Sequence, residues 1–189
     1  MKQSTMLDLG TAAPHFALPD GTGHVHTLEE FAAAPALLVA FMCNHCRYVK
    51  HILDGFARFA AEYQKQGLAT VAISANDVES YPADAPAEMA KLTRVRGFTF
   101  PYLYDESQQV AKAFRAVCTP EFYLFDRNRR LAYRGQFDGS RPNSQTPVTG
   151  ADLRAATDAV LIGRAAAAEQ IPSAGCGIKW KRGNAPDWA

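Results

Sequence analysis

The sequence predicts an α/β fold in which helices flank a central mixed β-sheet. Two near-continuous apolar runs, "PALLVAFM" at 35–42 and "LATVAISA" at 68–75, are typical of strands buried on both faces. Between them, apolar residues over 44–66 recur at helical spacing until Gly67 ends the pattern. Strand, helix and strand in this order predict a parallel crossover unit with a right-handed connection.

The segment before the first apolar run predicts two short extended pieces followed by a helical turn. The sequence "PDGTG" at 19–23 is typical of a turn that joins two strands. The sequence "TLEEF" at 27–31 carries a threonine and, three positions later, an acidic residue, which together mark a helix start.

The rest of the chain predicts helices alternating with strands and ends in a tail. We expect a loop over 76–86, a helix over 87–97, a strand over 98–105, a helix over 106–116, a hairpin of 122–126 with 131–137, and a helix over 149–170. The length of 189 residues suits one domain, and no internal repeat is present.

Composition and charge exclude several classes of function. Hydrophobic residues make up 48% of the chain and the formal net charge is +1, which argues against a nucleic acid or an anionic membrane as partner. No apolar run approaches the roughly 20 residues that span a bilayer. The N-terminus lacks the apolar core of a secretory signal, so we expect a cytoplasmic location.

The most informative motif is the Cys-x-x-Cys pair formed by Cys43 and Cys46 where the first apolar run meets the helix. A cysteine at a helix N-terminus faces unpaired N–H groups and the positive end of the helix dipole. This placement lowers its pKa from about 8.5 to roughly 3.5–7.5. We therefore expect Cys43 to attack a substrate as a thiolate and Cys46 to resolve the mixed disulfide. His45, when protonated, is expected to stabilise the Cys43 thiolate further.

The order strand, "CNHC", helix and strand, with Thr119-Pro120 directly before a hairpin, resembles the thioredoxin fold. The N-terminal extension "APHFALPDGTG", the insertion at 76–105 and the segment "PYLYDESQQVAKAF" are similar to the AhpC/TSA redoxin family, which includes peroxiredoxins. This resemblance implies a thioredoxin-like domain over 1–171 and leaves an irregular C-terminal tail over 172–189.

The resemblance implies an enzyme that reduces or exchanges disulfides with the Cys43/Cys46 dithiol. The expected substrate is a protein or small-molecule disulfide, and the expected reductant is a thioredoxin- or glutathione-type thiol. Self-association as a homodimer is common among redoxins and stays open here. No cofactor and no metal are expected for this activity.

Two other functions stay open. A thiol-dependent peroxidase is the alternative, although Ala40 and Cys43 stand where the peroxiredoxin motif Pro-x-x-x-Thr-x-x-Cys places its threonine before either cysteine. A copper- or zinc-binding chaperone of the same fold is the third hypothesis, because two cysteines and a histidine suit Cu(I). A structural zinc site normally needs four ligands, and the remaining cysteines are isolated.

The resemblance also assigns roles to residues next to the predicted hairpin. Pro120 is expected to follow a cis peptide bond and to face the sulfurs, and the backbone of Thr119 is expected to offer an edge on which a substrate pairs. The first strand lacks the buried acid that thioredoxins place behind the resolving cysteine. Glu121, His45 or Lys50 is therefore expected to transfer the proton.

Cys118 and Cys176 are candidates for additional redox cysteines. Cys118 is expected to be a buried, inert thiol. Cys176 lies in the tail with a glycine on either side, and two hypotheses stay open for it. In the first hypothesis, Cys176 forms a reversible disulfide with Cys118, which requires Cα atoms within about 7 Å. In the second, Cys176 acts as an extra resolving thiol.

Overall fold

The computed structural model describes residues 1–189 and confirms the mixed α/β architecture. Its strands are β1 (Lys2–Gln3), β2 (Ala17–Pro19), β3 (Val25–Thr27), β4 (Ala36–Phe41), β5 (Leu68–Ser74), β6 (Tyr102–Tyr104), β7 (Cys118–Thr119), β8 (Glu121–Phe125), β9 (Leu131–Gly135) and β10 (Ala174–Gly177). Its α-helices are α1 (Arg47–Gln64), α2 (Pro86–Arg96), α3 (Gln109–Ala113) and α4 (Ala151–Leu161), and short 3-10 helices cover Leu28–Phe31 and Pro82–Asp84. No helix combines the length and the apolar sequence that crossing a membrane requires.

The central sheet contains five strands in the order β6, β5, β4, β8 and β9. β4 pairs in parallel with β5, and β5 pairs in parallel with β6, so the predicted crossover through α1 is present. β8 runs antiparallel to β4 and to β9, which confirms the predicted hairpin. The predicted N-terminal turn joins β2 and β3 in a separate antiparallel pair.

Strand β4 separates the two halves of the hydrophobic core. Its six residues are all buried, and alternate side chains point to opposite faces, as a strand requires. Leu38 packs on the face that α1 and α4 cover, whereas Leu37 and Val39 pack on the face that α3 covers. Helix α1 buries the residues predicted from its periodicity: Val49, Ile52, Leu53, Phe56, Phe59, Ala60 and Tyr63.

Several predicted elements differ from the structure. Helix α3 stops at Ala113 because Arg115 adopts a φ of 52°, and α4 stops at Leu161, just before Gly163 with a φ of 74°. Both helices are shorter than predicted because periodicity alone does not mark a backbone reversal. The tail predicted to be irregular contains β10, the central strand of a three-stranded antiparallel sheet with β1 and β7.

Candidate active site

The Cys-x-x-Cys pair lies in the loop that connects β4 to α1. Because α1 begins at Arg47, Cys46 is the residue that caps the helix. The predicted helix start at about residue 44, which would have given Cys43 the N-terminal position, was wrong. The unpaired N–H groups of the first turn and the helix dipole therefore act on Cys46.

Both sulfurs lie against Thr119. Cys43 Sγ is 3.5 Å from Thr119 Oγ1, and Cys46 Sγ is 3.2 Å from the carbonyl oxygen of Thr119. The Thr119-Pro120 peptide bond is cis, as predicted. Cys43 and Cys46 are each 0% exposed, so solvent reaches neither sulfur in this conformation.

The surroundings of Cys46 favour its charged form. Hydrogen bonding lowers the pKa of Cys46, and the largest contribution comes from Cys43. The Cys176 thiol, the Thr119 hydroxyl and the backbone N–H of Val49 also favour the charged form. Together these donors outweigh the cost of burying a thiolate.

The surroundings of Cys43 favour its protonated form, the neutral thiol. Its pKa is raised because its thiol donates to Cys46, because it is buried, and because the Asp84 carboxylate lies nearby. The helix cap falls on Cys46, so the geometry does not support the expectation that the helix dipole lowers the pKa of Cys43. The two thiols titrate as a pair, in which burial and Asp84 favour the protonated form of Cys43.

Asp84 is a fully buried carboxylate that organises the loop around the cysteines. Its Oδ1 accepts hydrogen bonds from the backbone N–H groups of Asn44 at 2.8 Å and His45 at 3.1 Å. Its Oδ2 accepts from Nδ1 of His45 at 2.6 Å and from Nδ2 of Asn76 at 2.8 Å. These bonds hold residues 44 and 45 outside the helix, which explains why α1 begins later than predicted.

The His45 imidazole is turned toward Asp84. Its Nδ1 lies 3.9 Å from Cys43 Sγ, but the Nδ1 proton belongs to the short hydrogen bond with Asp84. Tyr81 stacks on the imidazole, with ring centroids 5.1 Å apart, and Lys179 Nζ lies 5.5 Å from the Tyr81 ring centroid. The geometry does not support the predicted stabilisation of a Cys43 thiolate, because Asp84 opposes negative charge on that sulfur.

Sequence reasoning missed Asp84, because it lies in the segment 76–86 that we predicted only as a loop. Its position still carried a signal. The segment follows β5, a parallel strand adjacent to β4, and the loops after such strands meet at the sheet edge where α/β proteins bind ligands. A carboxylate there was a candidate for contact with the "CNHC" loop.

Replacing Asp84 with asparagine is expected to lower the free energy of unfolding by about 2–4 kcal/mol, because buried donors would then face an amide NH2 group. Urea unfolding of the reduced protein measures this change. Glu88→Gln, at an exposed position of α2, is the matched control and should change the free energy by less than about 0.5 kcal/mol. Equal effects of the two substitutions would contradict the organising role of Asp84.

Glu121 lies on the face of the sheet opposite the dithiol. It pairs with Phe41 in the register of β8 and β4, and Phe41 belongs to the part of the core that α3 covers. Burial raises the pKa of Glu121, whose Oε2 accepts hydrogen bonds from the N–H groups of Val117 at 2.9 Å and Cys118 at 3.2 Å. Its carboxylate contacts neither site sulfur, so the geometry does not support the predicted proton transfer. Lys50 is exposed on α1 and contacts neither sulfur.

Cys118 is a buried thiol beside this carboxylate. Its Sγ lies 3.7 Å from Glu121 Oε2, and its pKa is raised well above its usual range, first by burial and then by the charge of Glu121. Cys118 is therefore a poor nucleophile, in agreement with the expectation of an inert thiol.

Strand β10 brings Cys176 to the dithiol. In its antiparallel pairing with β7, Cys176 lies opposite Thr119 and Gly177 lies opposite Cys118. Residues opposite each other share a face, and consecutive residues alternate. Cys176 thus shares the face of Thr119 and meets Cys46, whereas the Cys118 thiol points to the other face. The predicted Cys118–Cys176 disulfide is not compatible with this arrangement.

The same pairing changes the expected role of Thr119. We predicted that its backbone offers an open edge on which a substrate pairs. In the structure β10 already pairs with β7, so the edge of Thr119 that faces β10 is occupied.

One group of side chains at this site could hold a metal ion. The ligand atoms of Cys43, His45 and Asp84 all lie within 4.8 Å of one another. This group supplies one ligand fewer than a structural zinc site normally has. A metal there would compete with the hydrogen bond between His45 and Asp84.

Comparisons with known proteins agree with this fold. A family model described as the AhpC/TSA family matches residues 9–134. Thiol-disulfide oxidoreductase ResA of Geobacillus kaustophilus is 25% identical over 126 residues, which are 67% of this chain and 68% of ResA. The crystal structure of a hypothetical protein from Sinorhizobium meliloti has a TM-score of 0.95 and 51% identity, and the match covers 97% of this chain and 100% of that one.

A more distant structure shares the fold alone. Peroxidoxin BcpB from Mycobacterium tuberculosis has a TM-score of 0.59 and 21% identity, over 79% of this chain and 94% of that one. The family model spans both cysteines of the motif and β4 to β8 of the central sheet. The chain therefore belongs to the AhpC/TSA family of thioredoxin-like redoxins.

Proposed function

We propose that this chain is a thiol–disulfide oxidoreductase that uses Cys43 and Cys46 as its redox pair. The relative ResA is named a thiol-disulfide oxidoreductase. The observation that carries the proposal is the meeting of both sulfurs at Thr119, where Cys43 Sγ is 3.5 Å from the hydroxyl oxygen and Cys46 Sγ is 3.2 Å from the carbonyl oxygen. A thiolate beside a thiol is what thiol–disulfide exchange requires.

The exchange begins with Cys46, because the thiolate is the nucleophile. Once the site opens to a substrate disulfide, the Cys46 sulfur attacks one sulfur of that disulfide, forms a mixed disulfide and releases the other substrate sulfur as a thiolate. Cys43 then attacks Cys46 Sγ, the bond to the substrate breaks, and the Cys43 proton passes to the departing sulfur. The pair ends as a Cys43–Cys46 disulfide, and the substrate ends as one thiol and one thiolate, which takes a proton from water. These roles are the reverse of those expected from the sequence.

Asp84 and His45 serve as positioning residues in this scheme. The Asp84 carboxylate raises the pKa of Cys43, so that Cys43 keeps its proton until the mixed disulfide has formed. The hydrogen bond between Asp84 and His45 fixes the loop that carries Cys43. The order of the two exchange steps follows from this difference in protonation.

The partners follow from the chemistry of exchange. The substrate is a protein or small-molecule disulfide, and a thioredoxin- or glutathione-type thiol regenerates the dithiol. A cytoplasmic location suits a dithiol that must be kept reduced. A homodimer stays a prediction.

An insulin-reduction assay tests the proposed function. Cys46→Ser is expected to reduce the rate to that of the uncatalysed reaction, because the nucleophile is lost. Cys118→Ser, which replaces a buried thiol on the opposite face, should keep the wild-type rate. Mass spectrometry of the oxidised wild-type protein should find a Cys43–Cys46 disulfide. Wild-type turnover by Cys46→Ser, or the absence of that disulfide, would refute the assignment.

A thiol-dependent peroxidase is the second candidate. One observation favours it: Thr119 places a hydroxyl 3.5 Å from Cys43 Sγ, although the motif threonine is absent from the sequence. In that reaction a thiolate attacks peroxide, becomes a sulfenic acid and releases water, and a second thiol then forms a disulfide with loss of another water. Stopped-flow measurement of peroxide consumption decides the matter, since a rate no higher than that of free cysteine removes this candidate.

A further inference from the structure

Strand β10 is fixed against the active site at both of its ends. The carbonyl of Ser173 accepts a hydrogen bond from the N–H of Ser4 at 2.9 Å, and the N–H of Ile178 donates to the carbonyl of Val117 at 3.0 Å. Beyond the strand, the N–H of Lys179 donates to Oδ1 of Asn76 at 2.8 Å. Asn76 also donates to Asp84, so the strand and the "CNHC" loop are held by the same side chain.

A glycine allows β10 to approach β7 closely. A Cβ atom at Gly175 would lie 2.0 Å from the carbonyl oxygen of Thr119, a distance at which no side chain fits. The next residue is Cys176, directly opposite Thr119. The close approach thus places Cys176 opposite Thr119, the residue that both site sulfurs contact.

Cys176 packs against the part of the core that contains Cys43 and Cys46. It lies opposite Thr119, the residue that both site sulfurs contact. Burial raises the pKa of the Cys176 thiol, so Cys176 reacts through the small fraction that is deprotonated. Cys43 and Cys46 are 0% exposed, whereas Cys176 is partly exposed. Of the three sulfurs, Cys176 alone has access to solvent.

We propose that Cys176 is a third redox thiol, and that a Cys46–Cys176 disulfide connects the buried Cys43–Cys46 pair with external partners. The inference rests on the proposed function and adds the route by which electrons enter and leave the site. Cys176 occupies the position opposite Thr119 that an external strand would need, and so presents its sulfur where a substrate sulfur would lie.

The exchange has three steps that balance. Deprotonated Cys176 attacks an external disulfide, forms a mixed disulfide and releases one external thiolate, which takes up the proton. The Cys46 thiolate attacks Cys176 Sγ, so that a Cys46–Cys176 bond forms and the second external sulfur leaves. Cys43 attacks Cys46 Sγ, and Cys176 departs and takes the Cys43 proton. The external disulfide is reduced to two thiols, and the Cys43–Cys46 pair is oxidised. A dithiol reductant reverses the same steps.

The Cys43→Ser variant isolates the proposed link. One equivalent of dithiobis-nitrobenzoate, an aromatic disulfide that releases a coloured thiolate, is added to the reduced variant. We expect two coloured thiolates per equivalent and a Cys46–Cys176 peptide in the digest made without reductant. Cys43→Ser/Cys176→Ser should release no more than one and form no internal disulfide, and Cys43→Ser/Cys118→Ser should behave like Cys43→Ser. One coloured thiolate and no such peptide from Cys43→Ser would overturn the proposal.

The Cys176→Ser variant separates this inference from the proposed function. With insulin as substrate its rate should fall at least about tenfold, while diamide, a small oxidant, should still produce the Cys43–Cys46 disulfide. Insulin reduction by Cys176→Ser at the wild-type rate would refute the link and leave the dithiol intact. Wild-type protein that forms no Cys43–Cys46 disulfide and reduces no insulin would instead refute the proposed function.

Discussion

Replacing Cys46 with serine is expected to remove the thiolate that the reduced protein carries at neutral pH. Cys46 accepts the hydrogen bonds that lower its pKa to about 4, whereas the pKa of Cys43 is raised. The wild-type protein should therefore show the ultraviolet absorbance of one thiolate, lost only as the pH falls toward about 4. In Cys46→Ser this transition should be absent at acidic and neutral pH.

Cys43→Ser is the matched control for this titration. It replaces the Cys43 thiol by a hydroxyl, which can also donate, and keeps the Cys176 thiol and the N–H of Val49. The thiolate should persist in this variant and titrate below the value of about 8.5 for a free cysteine. A wild-type thiolate that disappears in Cys43→Ser and survives in Cys46→Ser would reverse the assignment.

The same ionisation couples folding to pH. The pKa of Cys46 is lower in the folded chain than in the unfolded chain, so its contribution to stability is complete above the unfolded value and lost as the pH falls through the folded value. The free energy of unfolding of wild type minus that of Cys46→Ser should therefore rise with pH over the range below the unfolded value of about 8.5. A difference that stays flat across this range would contradict a Cys46 thiolate.

Gly175→Ala is expected to lower the free energy of unfolding by about 2–3 kcal/mol. The added methyl group would lie 2.0 Å from the carbonyl oxygen of Thr119, so β10 must move away from β7. Urea unfolding measures the loss. Alkylation of Cys176 by iodoacetamide, followed by mass spectrometry, should become faster because the thiol separates from Cys46.

Gly139→Ala is the control for this substitution. A Cβ atom at Gly139 would meet nothing within 4 Å. Its free energy of unfolding should stay within about 0.5 kcal/mol of wild type, and Cys176 should react at the wild-type rate. If Gly175→Ala were as stable as Gly139→Ala, β10 would not be held as closely as the structure describes.

The central sheet could be predicted from sequence because its strands carry strong local signals. The run at 35–42 is apolar at every position, as a strand covered on both faces requires, and β4 is buried throughout. The periodicity of α1 identified its buried face. The hairpin of β8 and β9 was marked by charged turn residues at 127–130 between apolar segments.

The active site was only partly predictable because its decisive contacts join distant segments. The motif identified Cys43 and Cys46, and the resemblance identified Thr119 and Pro120. Which sulfur caps α1 depends on Asp84, almost forty residues away, which accepts the N–H groups of the loop. No local sequence pattern around the two cysteines indicates that interaction.

The strand in the C-terminal tail also could not be predicted from local sequence. The segment "SAGCGIK" is short and rich in glycine, which lowers strand propensity, so it was predicted to be irregular. Its strand forms because β1 and β7 supply partners on both sides. Tertiary pairing here overrides the local preference.

In the proposed exchange, the pairing of β10 with β7 favours small disulfide substrates. A polypeptide that pairs with the edge of β7 facing β10 must displace β10 and supply the free energy lost from that pairing. A small disulfide that reaches Cys176 needs no such displacement. The choice of substrate then depends on how stably β10 is held in its sheet. Substitutions far from the sulfurs that weaken this pairing would allow larger disulfide substrates to bind.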